Sequence, residues 1–312
     1  RRQHELQGPV AGLLERVREA QARALAARRQ HVGAGRQRAE CAAVACAEQL
    51  DLGALAGQPF GAQRDVEADL FFAQGFNAVK LDPAGPYTAY DGHQPRLVDI
   101  DLSARMVKAI REAVGTKCDI LFGTHGQFTA SGALRIARAI EPYDPLWFEE
   151  PVPPDSPEAM AQVARGTTIP IATGERLTTK YEFAQLLSLG AAGIFQPNLG
   201  RSGGLLETKK IAAMAEAHHV QIAPHCYCGP LVAAANIQLA ATLPNFLVLE
   251  SIKTWDGFYA EVLRKKIEWQ DGDVVPPKEP GIGVELDEAV CEAHPYSGKD
   301  LHLQMMQTPL MP

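Results

Sequence analysis

The sequence predicts an α/β fold, a TIM-type (β/α)8 barrel, and three observations carry that reading. From Val66 onward short apolar runs recur, after the first gap, at roughly 23–28-residue intervals, close to the ~30 residues of one strand-helix unit in such a barrel. Amphipathic stretches with a three- and four-residue apolar period fill the intervals. Each run ends in a charged or strongly polar residue. At 312 residues and 46 % hydrophobic content, the chain has enough apolar material for one large core.

The runs, in order, are Ala78-Val79, Ile120-Leu121-Phe122, Leu146-Trp147-Phe148, Ile169-Pro170-Ile171, Ile194-Phe195, Val220-Gln221-Ile222 and Leu247-Val248-Leu249. Short buried strands alternating with helices imply a parallel sheet. The predicted helices are Ser103–Val114, Ser131–Ile140, Glu158–Arg165, Lys180–Leu189, Leu205–His218 and Leu231–Thr242, with another over Val66–Gln74. These account for seven strands. The eighth, first in the chain, is expected near residues 48–60, although Leu50-Asp51-Leu52-Gly53-Ala54-Leu55 makes a poor strand. The domain reading is an atypical segment over 1–62, the barrel over 63–296 and a tail over 297–312. The first segment is crowded with Ala, Arg and Gln. It reads as a helical or poorly ordered extension, with Leu13 to Arg28 helical on propensity, or as a stretch not selected for structure.

Thirty Lys and Arg against 37 Asp and Glu leave a net charge of −7, which argues against a nucleic-acid or anionic-membrane partner. No stretch approaches the ~20 apolar residues that span a bilayer. The N-terminal residues lack a secretory apolar region, so a cytoplasmic location is expected. The six cysteines show no CxxC pairing, so neither a zinc site nor a disulfide framework is indicated.

The C-terminal ends of parallel strands form the mouth of such a barrel. There the sequence places Lys80 and Asp82, then Thr124 and His125, Glu149 and Glu150, Glu175 and Arg176, Gln196 and Asn198, His225, and Glu250. Glu149 and Glu175 are the candidate metal ligands, because carboxylates without a cysteine cluster suit a hard cation such as Mg2+. Lys80 would add positive charge where an anionic intermediate develops. His125 and His225 can face each other across the mouth and exchange protons near neutrality. His218 and His219 close a helix and read as caps of its dipole. Cys226 and Cys228 read as packing residues.

Together these residues resemble the enolase superfamily, in its mandelate racemase/muconate lactonizing enzyme branch, and within it the acid-sugar, galactonate-type dehydratases. The matching text is Val79-Lys80-Leu81-Asp82, Thr124-His125-Gly126-Gln127, Trp147-Phe148-Glu149-Glu150-Pro151, Gly174-Glu175-Arg176, Gln196-Pro197-Asn198 with Gly203-Gly204, Ala223-Pro224-His225 and Gly281-Ile282-Gly283-Val284-Glu285. It covers residues 66 to 296, roughly three quarters of the chain. The resemblance implies the modified barrel of that superfamily and Mg2+-dependent abstraction of a proton α to a carboxylate. The substrate would be a small sugar acid, and the protein a homo-oligomer. In the dehydratases the β-hydroxyl then leaves and a 2-keto-3-deoxy acid results. Carried over by position, Glu149 and Glu175 are metal ligands, His225 the base, and His125 the acid that assists hydroxide. Lys80 and Glu250 stabilise the enediolate.

Three departures from the family pattern stand out. The third metal carboxylate expected after the third strand is Gly123 here, leaving His125, water or substrate oxygen to complete the set. Asp119, four strand residues away, lies toward the opposite rim. The aspartate that pairs with the seventh-strand histidine is Asn198, and an amide stabilises an imidazolium less than a carboxylate does. The N-terminal α+β capping domain that closes the mouth is missing or unrecognisable in residues 1–62. A racemase, epimerase or cycloisomerase would share the same enediolate, but Asp82 stands where a second-strand lysine base often sits, which favours dehydration. A non-catalytic or truncated barrel is a further reading, and a phosphate-binding barrel built on Gly203-Gly204 another.

Overall fold

The computed structural model describes residues 41–46, 75–84, 92–252 and 255–295. The expected Val66–Gln74 helix, the Leu13–Arg28 helix and the 297–312 tail lie outside the described residues. Eight parallel strands make the barrel: β1 (Cys41–Cys46), β2 (Ala78–Leu81), β3 (Asp119–Gly123), β4 (Trp147–Glu149), β5 (Ile171–Thr173), β6 (Ile194–Phe195), β7 (Gln221–Ile222) and β8 (Leu249–Ile252). Each of β1 to β6 pairs in parallel with the next, and β8 pairs with β1. A parallel bridge from Ile222 to Phe246, with Leu247 N–H donating to the Ile222 carbonyl at 2.8 Å, closes the ring between β7 and the approach to β8.

The first strand corrects an expectation. It lies at Cys41–Cys46, not near 48–60, so the barrel sheet starts inside the segment read as atypical. Its text, Cys-Ala-Ala-Val-Ala-Cys, has neither alternation nor a run of large β-formers. The ladders on both sides supply what local propensity does not. A hairpin of β9 (Glu268–Gln270) and β10 (Asp273–Val275) continues from β1 in antiparallel register.

The helices follow the predicted periodicity: α1 (Leu97–Val114), α2 (Ala130–Ile140), α3 (Pro157–Gly166), α4 (Lys180–Leu189), α5 (Gly204–Ala217) and α6 (Pro230–Ala240). Only α1 begins well before its expected start, because Asp99 accepts from the Arg96 backbone N–H at 3.1 Å and its side chain at 2.9 Å. That cap sets the start two turns upstream of the first strong apolar period. Short helices α7 (Phe258–Glu261) and α8 (Glu288–Ala293) follow β8. Among the described residues no helix is long and apolar enough to cross a membrane.

Strand alternation separates two cores. Val79, Ile120, Phe122, Phe148, Ile171, Phe195 and Ile222 point outward and pack with Val107, Ile136, Met160, Phe183 and Ile211. Ala78, Leu121, Trp147, Ala172, Ile194, Ala223 and Val248 point inward and fill the barrel floor. The residue two places beyond an inward floor residue faces inward again, one layer nearer the mouth. Counting by two from that floor reaches Lys80, Gly123, Glu149, Gln196, His225 and Glu250. The polar layer is a direct consequence of strand period.

Candidate active site

Five of the charged and titratable groups in that layer are buried: Lys80 is 5 % exposed, Glu149 2 %, Glu175 5 %, His225 7 % and Glu250 7 %. Burying so much charge is costly unless the groups compensate one another. Lys80 provides much of that compensation. Its Nζ lies 2.6 Å from Glu149 Oε1 and 2.8 Å from Glu250 Oε1. The second oxygen of Glu149 accepts from Trp147 Nε1 at 3.0 Å and Gln196 Nε2 at 2.7 Å. The second oxygen of Glu250 accepts from the Cys226 backbone N–H at 2.7 Å. Even so, burial first, and then the charges of Glu175 and Glu250, keep the Glu149 carboxyl above its ordinary value despite Lys80.

Glu175 escapes strict alternation. Its predecessor Gly174 has φ of +131°, open to glycine and strained for other residues. A Cβ there would meet Phe183 Cε1 at 2.7 Å. This kink brings residue 175, instead of 174, into the mouth. Burial raises the Glu175 carboxyl, but His225, His125 and Lys80 outweigh it and hold the group below its ordinary value. His225 Nε2 stands 3.3 Å from Glu175 Oε2 and 3.7 Å from Glu250 Oε2, while its Nδ1 meets the Asn198 amide at 2.8 Å.

His125 belongs to a second pair. Its Nδ1 lies 2.8 Å from Asp82 Oδ2. Burial works against the imidazolium, yet Asp82 beside it, aided by Glu175, pushes the His125 value up to about 9. Burial likewise opposes ionisation of Asp82, and His125 and Lys80 overcome it. The Nδ1 of His125 thus meets a carboxylate, whereas the Nδ1 of His225 meets an amide.

The structure thus brings Lys80, Glu149, Glu175, His225 and Glu250 to one pocket, with Asn198 behind His225 and the Asp82–His125 pair alongside. One detail differs from expectation: Glu250 lies within β8, which extends from Leu249 to Ile252 instead of ending at Leu249. Sequence reasoning did not single out Trp147 and Gln196 as holders of Glu149, although both lie two residues from a site or floor position. Nor did it find the pair behind the site, where Arg176 Nε donates to Glu150 Oε2 at 2.7 Å. Burial, Glu175 and Glu149 raise Glu150 to about 7 against the pull of Arg176. Cys226 is a buried core residue, as expected, and its backbone N–H rather than its thiol meets the site.

For a divalent cation the donor chemistry is suitable: buried carboxylate oxygens, with Glu175 Oε2 and Asp82 Oδ1 lacking a hydrogen-bond partner among the described residues. Among the described residues no three His, Cys, Asp or Glu side chains are gathered as a metal-holding group, so Glu149, Glu175 and His125 are not a preassembled set.

Comparison with known proteins places this geometry. The D-xylonate dehydratase of Haloferax volcanii is 36 % identical over 230 residues, covering 73 % of this chain and 56 % of that protein. The D-galactonate dehydratase of Ralstonia nicotianae is 36 % identical over 234 residues, covering 73 % and 60 %. The chain therefore spans a little over half the length of these curated relatives. A crystal structure from Labrenzia alexandrii DFL-11, of a candidate mandelate racemase/muconate lactonizing enzyme, is 58 % identical with a TM-score of 0.80, covering 86 % of this chain and 69 % of that one. Residues 64–290 match the family model described as Enolase C-terminal domain-like, and the chain belongs to that family.

Proposed function

We propose that this chain carries the catalytic barrel of a sugar-acid dehydratase that removes the proton α to a carboxylate and then expels the β-hydroxyl. One observation supports this above the others: Lys80, Glu149, Glu175, His225 and Glu250 share one buried pocket with the Asp82–His125 pair beside it. The dehydratase names of the relatives point the same way. Glu149 and Glu175 would hold Mg2+, which supplies positive charge to the substrate carboxylate. Every other step falls to the chain itself.

His225 takes the α-proton on Nε2, its Nδ1 being engaged by Asn198. The electron pair of the broken C–H bond moves into an enediolate, and Lys80 offsets that negative charge. Glu250, hydrogen-bonded to Lys80 and to the Cys226 backbone, fixes the lysine's position. His125, held protonated by Asp82, gives its proton to the departing β-hydroxyl as the C–O bond breaks, so water leaves. The resulting enol tautomerises to a 2-keto-3-deoxy acid. A base on one side and a charged acid on the other is the division of labour such chemistry needs.

The test is to incubate the protein with Mg2+ and a panel of aldonates and aldarates, following 2-keto-3-deoxy acid formation. Turnover of a panel member is the expected result. Deuterium exchange at the α-carbon without loss of water would instead assign the pocket to racemisation, epimerisation or cycloisomerisation. Neither exchange nor turnover, with Mg2+ bound, would favour a non-catalytic barrel.

A further inference from the structure

Gly123 ends the third strand without a donor to offer a metal, and another strand fills the space it leaves. In the β2–β3 ladder Leu81 lies opposite Phe122, so Asp82 arrives beside Gly123. A Cβ on Gly123 would sit 2.0 Å from Asp82 Oδ1 and 3.2 Å from its Cγ. The Asp82 carboxylate thus occupies the volume that any side chain at position 123 would need. An aspartate at 123 and Asp82 as it stands exclude each other.

The two oxygens of that carboxylate are unequal. Oδ2 is engaged by His125 Nδ1 at 2.8 Å. Oδ1 is buried and has no hydrogen-bond partner among the described residues. A buried, ionised oxygen without a donor costs free energy, and a hard cation is a natural partner for it. Lys80, which bridges Glu149 and Glu250, also acts electrostatically on Asp82 and on Glu175. Glu175 Oε2 is likewise buried without a hydrogen bond, with His225 Nε2 at 3.3 Å.

We propose that Asp82 supplies from the second strand the carboxylate that the third strand lacks, and that a divalent cation draws it together with Glu149 and Glu175, since no such trio among the described residues is gathered without the ion. Oδ1 is the ligating oxygen, and Oδ2 holds His125. The glycine at 123 is then a requirement of the arrangement: it makes room for a ligand delivered from next door. This inference rests on the metal-dependent reading of the site.

Mn2+ serves as the spectroscopically visible probe. Its binding to the full chain, followed by calorimetry and by the electron paramagnetic resonance of free Mn2+, is compared in wild type, Asp82→Asn, Gly123→Asp and the double variant Asp82→Ala/Gly123→Asp. Thermal unfolding of each variant establishes that it is folded. Asp82→Asn is nearly isosteric and is expected to weaken Mn2+ binding by roughly 100-fold, at or beyond the upper end for loss of an outer-shell group. Gly123→Asp alone is expected to weaken it through the clash at 2.0 Å. The double variant returns a carboxylate to the third strand and removes its competitor, so it should recover binding to within about tenfold of wild type. Folded Asp82→Asn with unchanged Mn2+ affinity would overturn the assignment, leaving Asp82 as a positioning residue for His125. A folded double variant without recovered binding would also overturn it. A wild type that binds no Mn2+ would overturn the metal-dependent reading itself and this assignment with it.

Discussion

Lys80 shows how much a single side chain carries in this pocket. Its ammonium stands between Glu149 and Glu250, and without it two buried carboxylates face each other unneutralised. Breaking a buried pair in this way costs on the order of 3–5 kcal/mol while the carboxylates stay charged. Glu149 is already raised above its ordinary value by burial, with Glu175 and Glu250 adding to it. In Lys80→Met it rises further. A folded-state value above the unfolded one contributes stability that is complete below the unfolded value and is lost as pH climbs through the folded one. The metal-free Lys80→Met variant should therefore melt well below wild type at pH 7 and recover much of the difference toward pH 5. Parallel melting curves at the two pH values would refute the compensating role. Asn198 makes a second prediction at this scale. Replacing it with Asp puts a carboxylate on His225 Nδ1, now met by the amide at 2.8 Å, and a carboxylate favours the imidazolium. The base must be unprotonated to work, so the acid limb of the kcat/KM profile should move to higher pH, and an unmoved limb would remove His225 from the role of base.

Elements were legible wherever their period was strong. The starts of α2 to α6 lie within one residue of the apolar pattern, and α2 to α5 bury one face against the outer core. The start of α1 was missed because Asp99, a polar cap, fixed it, and apolar period does not register caps. Five strand ends delivered a polar residue by alternation, the third delivered Gly123, and β5 delivered Glu175 through a glycine kink that alternation does not describe. Gly174→Ala tests that kink. The alanine would be forced into φ near +131° with its Cβ 2.7 Å from Phe183 Cε1, and a strained backbone of this kind costs about 1–3 kcal/mol. Lowered thermal stability together with weakened divalent-metal binding is expected, because the kink is what aims Glu175. Unchanged metal binding in a destabilised variant would show that Glu175 needs no kink to reach the pocket.

At the scale of the whole molecule the barrel depends on its least legible strand. The text of β1 is alanine, valine and cysteine, which signals neither strand nor helix, so its ladders with β2, β8 and β10 define it. Its position gives it a consequence for the site. Cys46 lies opposite Lys80 on one side, and Val44 lies opposite Glu250 on the other. The Lys80–Glu250 contact of 2.8 Å therefore spans β1, and the strand sets the spacing of two groups that it does not itself contribute. Ala45 lies in both ladders, opposite Val79 and Ser251. Proline there has no N–H for either ladder and does not fit a central strand. Ala45→Pro should destabilise the fold by removing a ladder hydrogen bond, seen as an early urea midpoint by tryptophan fluorescence, and should lower turnover even under conditions where the variant is folded. A variant with wild-type midpoint and turnover would show that residues 41–46 do not close the ring, and that Lys80 and Glu250 are brought together by β2 and β8 alone.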